Sequence, residues 1–143
     1  MSDEKKILEA VSETADMGRE SISQVIPRSK DSGLKRALEA QKAEYDKNFE
    51  AARSLLQSFG EDPKRAPAAA KAESWLTVGA KTVFSGDPTS QIAQMVIQGS
   101  TMGVTKITKE LNEYRGGNSE VRALAEKELK TEQANIDQMK RFL

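Results

Sequence analysis

Chemistry near neutral pH needs groups that trade protons or hold a metal, and this chain has few of them. It contains no histidine and no cysteine. Histidine is the usual neutral-pH base and the commonest metal ligand, so Ser-His-Asp chemistry, Cys-His chemistry and His-ligated zinc are excluded. Thiolate sites and disulfides are excluded with the cysteines. Without an imidazole base, none of the Ser, Thr or Tyr hydroxyls is assigned as a nucleophile. Carboxylates remain, and two of them stand at helical spacing from a second polar group. Glu44-Tyr45-Asp46-Lys47 and Glu132-Gln133-Ala134-Asn135 each pair positions i and i+3, which share one helix face. The plain reading of Glu44 and Lys47 is a solvated ion pair. The sharper one turns Lys47 inward, where its ammonium would offset buried carboxylates. Glu132 falls between Leu129 and Ile136 on an apolar stripe. There it is a water-reaching edge residue, a polar core residue or a metal ligand.

Helices must position these groups, because apolar residues recur at steps of three and four throughout. The first helix is expected from about Asp3 to Val25, capped by Ser2, with Ile7, Val11, Ala15, Gly18, Ile22 and Val25 inward and Pro27 as its stop. The second starts at Asp31 or Ser32 and runs to Phe59, with Leu34, Leu38, Gln41, Tyr45, Asn48 or Phe49, Ala52, Leu55, Leu56 and Phe59 inward and Gly60 as its C-terminal cap. At ~1.5 Å per residue it is about 40 Å long. Residues 60–88 form a long crossover with a short helix of its own from Ala68 to Val83, whose Trp75, Val83 and Phe84 pack on the other helices. Asp87-Pro88 opens the third long helix and Gly116-Gly117 stops it. Asn118 or Ser119 caps the fourth, whose inward stripe reads Val121, Ala125, Leu129, Glu132, Ile136, Met139 and Leu143. Gly99 and Gly103, one turn apart on the third helix, predict close approach of a neighbour or room for a large side chain such as Tyr45 or Trp75. Two pairs of long helices joined by one long connection give an all-α four-helix bundle, with a plain up-and-down bundle as the alternative.

The 143 residues make one domain, 1–143. The 22 basic residues balance the 22 acidic ones, so the chain lacks the positive excess that nucleic acid demands. No apolar run approaches the ~20 residues of a membrane span. The charged start, Met1-Ser2-Asp3-Glu4-Lys5-Lys6, is unlike a signal peptide, and the expected location is the cytoplasm. The partner is an unidentified protein or small molecule, and a homodimer is open.

Several short stretches resemble an uncharacterised bacterial family of ferritin-like four-helix proteins. They are Asp16-Met17-Gly18-Arg19-Glu20, Gly33-Leu34-Lys35-Arg36-Ala37-Leu38, Trp75-Leu76, Ser85-Gly86-Asp87, Gln98-Gly99-Ser100 and Ser119-Glu120-Val121-Arg122-Ala123-Leu124. The likeness spans nearly the whole chain. It implies a bundle whose centre, in the wider superfamily, takes one Glu from each of two helices and Glu-x-x-His from each of the other two. Matched residue by residue, Lys47 and Asn135 stand where the histidines would be, Ser100 stands at one single-Glu place, and Glu20 is the candidate for the other. Glu20, Glu44 and Glu132 are the candidate metal ligands and Lys47 the possible ion-pair substitute. No cofactor is expected. The expected function is a non-enzymatic binding, stress-related or structural role on a degenerate metal site; the alternative is a carboxylate-only iron or manganese protein with weak redox activity.

Overall fold

Capping residues and prolines set the helix ends. The computed structural model describes residues 2–63, 65 and 87–143, and these hold four long helices: α1 (Ser2–Val25), α2 (Ser32–Ser58), α3 (Thr89–Glu113) and α4 (Ser119–Lys140). No strand occurs among the described residues. Ser2 lies inside α1 rather than capping it, and Asp3 and Glu4 place negative charge in its first turn, where the helix dipole favours it. At Pro27 the helix gives way to one turn of 3-10 helix, Ile26–Arg28. The Asp31 carboxylate accepts the Leu34 N–H at 2.8 Å and so caps α2. Gly60, at φ +78°, ends it in the left-handed region that glycine enters without a Cβ clash. Asp87 accepts both the Thr89 N–H at 3.0 Å and the Thr89 hydroxyl at 2.6 Å. It therefore caps α3 from one position further out than expected, with Pro88 between. Asn118 accepts from the Glu120 and Val121 N–H groups at 3.0 and 3.1 Å and caps α4.

Short links make α1 antiparallel to α2 and α3 antiparallel to α4. Side-chain pairs fix how the two hairpins sit. Lys6 reaches Glu113 at 3.5 Å and Glu13 meets Lys106 at 3.3 Å, so α1 and α3 are antiparallel neighbours. Asn48 meets Glu128 at 2.8 Å and Gln41 meets Gln138 at 3.0 Å, so α2 and α4 are too. The four side-by-side pairs are thus antiparallel, and the diagonal pairs, α1 with α4 and α2 with α3, run parallel across the bundle. A plain up-and-down bundle would have α1 and α3 parallel, and that alternative is excluded. The crossover helix expected at 68–83, with Trp75, Val83 and Phe84, lies outside the described residues.

Two apolar clusters fill the bundle. One holds Ile22, Leu34, Leu38, Phe49, Ile92, Val96 and Met139 near the Pro27 end. The other holds Ile7, Leu8, Val11, Leu56, Ile107, Val121 and Ala125 near the α3–α4 link. Between them each helix contributes buried polar side chains: Ser12 and Asp16, Asn48, Ser100, and Glu128, Glu132 and Asn135. The inward stripes of α1 and α2 fall where the periodicity puts them. That of α4 does so only in part: Val121, Ala125, Glu132 and Met139 are buried as expected, but so are Leu124, Glu128 and Asn135, while Leu129 and Ile136 are half-buried and Leu143 is exposed. No described helix is long and apolar enough to cross a membrane.

Candidate functional site

The polar layer is built chiefly from α2 and α4. Positions 45 and 48 of α2 and 128, 132 and 135 of α4 are each three or four apart, so each set stacks along one face. The Tyr45 hydroxyl donates to Glu132 Oε1 at 2.5 Å and accepts from Asn135 Nδ2 at 3.1 Å. Asn48 Nδ2 donates to Glu128 Oε1 at 2.8 Å and to Thr131 Oγ1 at 3.1 Å. The other oxygen of Glu128, the Asn48 carbonyl oxygen and the Ser100 hydroxyl are buried without a well-aligned partner among these donors and acceptors.

Glycines on the other two helices make room. A Cβ at Gly18 of α1 would overlap the Tyr45 ring, and one at Gly103 of α3 would lie 2.7 Å from Glu132 Cδ. Gly103 therefore admits a carboxyl group, and Gly18 admits the Tyr45 ring. Beside this layer Arg19 holds Asp16 at 3.0 Å and Asp46 at 3.6 Å and covers the Phe49 ring at 3.9 Å. Between α2 and α4, Gln41, Lys127, Lys130, Asn135 and Gln138 are among the residues lining an outer groove of about 410 Å³.

Burial sets the protonation chemistry. It pushes the Glu128 carboxyl well above the usual 4.5; the charge of Glu132 adds to that, against smaller downward pulls from Asn48 and Lys127. Burial also raises Glu132, although Glu128, Tyr45 and Ser100 all favour its charged form. Burial, then the charges of Glu132 and Glu128, hold the Tyr45 phenol well above its ordinary 10.0. Each shift has the sign expected for an ionising group removed from water.

The candidates chosen from sequence are dispersed. Glu132 is at the centre, 2% exposed. Glu20 is exposed on α1. Glu44 and Lys47 pair with each other at 3.3 Å on the outside of α2, their side chains 43% and 66% exposed. Lys47 therefore does not turn inward, because its neighbours Tyr45 and Asn48 occupy the inward positions. Asn135 and Ser100 are buried. Sequence reasoning missed Glu128; it placed Asn48 inward but not its pairing with Glu128. The signal for Glu128 was the alternating four-three spacing of 121, 125, 128, 132, 135 and 139, read without regard to polarity.

The donor set at the centre does not fit a di-iron centre. It offers two carboxyl groups on one helix, a phenol and two amides, with no imidazole, whereas non-haem iron sites combine imidazole with carboxylate. Among the described residues no three Asp or Glu side chains come together as a metal-holding group.

No family model matches the chain, and no curated protein matches it. Its fold is similar to the crystal structure of a conserved hypothetical protein from Mycobacterium tuberculosis. The TM-score is 0.76 at 10% identity, covering 99% of this chain and 98% of that one. That likeness is one of fold. It sets the helical bundle beside an uncharacterised bacterial protein.

Proposed function

We propose that the chain is a ferritin-like bundle in which a hydrogen-bonded polar layer takes the place of a di-iron centre, and that it serves a non-enzymatic binding or structural role in the bacterial cytoplasm. The single long connection between parallel α2 and α3 supports the ferritin-like reading, since one crossover distinguishes that arrangement from simple bundles. The observation that carries the functional reading is Tyr45. Its hydroxyl spends its proton on Glu132 and its lone pair on Asn135, at the level where metal ligands would converge. A carboxylate engaged in this way already has the partner that a metal would otherwise supply.

The test is anaerobic titration with iron(II) and with manganese(II), followed by thermal unfolding. The expected result is an unchanged midpoint, because a ligand that does not bind the native state does not stabilise it. A saturable rise in the midpoint that Glu132→Gln abolishes would contradict the reading.

A further inference from the structure

Glu128 and Glu132 face each other one helical turn apart, 0% and 2% exposed. The groups that bear on them arrive from all four helices. From α2 come the Tyr45 hydroxyl, given to Glu132, and the Asn48 amide, given to Glu128. The charged Glu44 and Lys47 of α2 pair outside. From α1 come Asp16 and Arg19, ion-paired with each other, and the bare face of Gly18 against Tyr45. From α3 come Ser100 and Gly103, neither of them charged. From α4 itself, Lys127 is the cation that acts on Glu128. Two ionised carboxylates here would repel in a low dielectric with two neutral donors between them, an arrangement that drives one of such a pair to keep its proton. Glu128 Oε1 already accepts from Asn48, and Oε2 is buried with no donor to accept from among the described residues. An oxygen in that position is the natural seat of a proton, since protonation converts an acceptor without a donor into a donor.

We propose that Glu128 and Glu132 share one proton in the folded bundle, carried on Glu128 Oε2 and donated to the Glu132 carboxylate, and that its release to solvent as pH rises loosens α4 from α2 at mid-bundle. The pair then goes from one negative charge to two, and among the described residues only Lys127, on α4 itself, acts as a cation on Glu128. The proposal rests on the reading of a metal-free centre. The upward shift of Glu128 agrees with it and gives the direction of pH dependence. In the unfolded chain Glu128 loses its proton near the ordinary 4.5; in the folded bundle it keeps it. The stabilising contribution is therefore complete below that value and falls as pH rises towards the folded-state value. With one proton more on the native state, the folding equilibrium constant drops tenfold per pH unit within that window.

Infrared spectroscopy of the full chain reads the proton directly, because a carboxylic acid has a C=O stretch that a carboxylate lacks. The expected result is an acid band at neutral pH that is missing from Glu128→Gln, whose amide donates to Glu132 in the proton's place. The variant's folding constant should also fall with pH less steeply than the wild type's by one proton. If Glu128→Gln does not fold, the wild-type titration decides alone: the band must vanish in step with the loss of tertiary packing. Absence of the band in folded, metal-free protein overturns the shared proton. Equal pH slopes, or a band that vanishes while packing persists, overturns its role in loosening the bundle. Absence of the band in protein that carries stoichiometric metal overturns the metal-free reading beneath it.

Discussion

Tyr45 joins α2 to α4 through a single oxygen that both donates and accepts. Tyr45→Phe leaves Glu132 without its shortest donor and Asn135 without its acceptor, both in buried surroundings. Losing one partner of a buried polar pair costs about 1–3 kcal/mol, and urea unfolding should show a destabilisation of about that size. Glu44→Ala should behave differently. Its partner Lys47 stands in water, and an exposed i,i+3 pair contributes about 0.2–0.5 kcal/mol. The same unfolding assay should barely resolve the change. Glu44 and Lys47 are the solvated pair of the plain reading: spacing identifies which side chains share a face, and a face rich in charge satisfies the pattern on the solvent side as readily as on the core side. The working pair was its neighbour in phase, Tyr45-x-x-Asn48, which carries no charge to draw attention.

The helices themselves were legible because their ends are encoded locally. Asp31, Gly60 and Asn118 act where the sequence places them, and Asp87 acts one position further out. Asp31→Ala and Asn118→Ala should each lower stability by about 1 kcal/mol, read as a shift in the urea midpoint with an unchanged slope. The facing of α4 was less legible. Leu129 and Ile136 drew the expected stripe one position away from Glu128 and Asn135, because hydrophobicity normally decides which side faces the core. A helix that buries polar residues breaks that rule, and only its partners on α2 show why. Glycine substitutions test the packing at this scale. In an open helix Gly→Ala is stabilising by up to about 1 kcal/mol. Gly103→Ala should have the opposite sign, destabilising by about 1–3 kcal/mol as overpacking does, since the new methyl group would press on Glu132.

At the scale of the whole molecule, the polar layer divides the core into two apolar clusters. Hydrophobic burial in each cluster favours four helices side by side but leaves their registers loosely set. The Tyr45–Glu132 and Asn48–Glu128 pairs align α2 and α4 at one level, as buried polar contacts do in helical assemblies where a register must be chosen. Alkaline pH should therefore weaken the whole bundle. Tyr45, held above its ordinary 10.0, stays protonated in the native state while the unfolded phenol ionises. Its contribution is complete below that value and declines above it. Equilibrium unfolding at rising pH should show a steeper loss of stability in wild type than in Tyr45→Phe above pH 10.0. The crossing of the chain from α2 to parallel α3 was readable only as a long connection. Which end of the bundle it leads to depends on contacts between helices distant in sequence, such as Lys6 with Glu113.

On the proposed reading, side-chain hydrogen bonds hold the middle of this bundle and no metal is bound there. Anomalous diffraction at the iron and manganese edges, on crystals grown with each ion in excess, tests it most directly. The prediction is no anomalous peak among Tyr45, Glu128 and Glu132, with the Tyr45–Glu132 hydrogen bond intact. An ion bridging Glu128 and Glu132, with the Tyr45 hydroxyl displaced from Glu132, would contradict it.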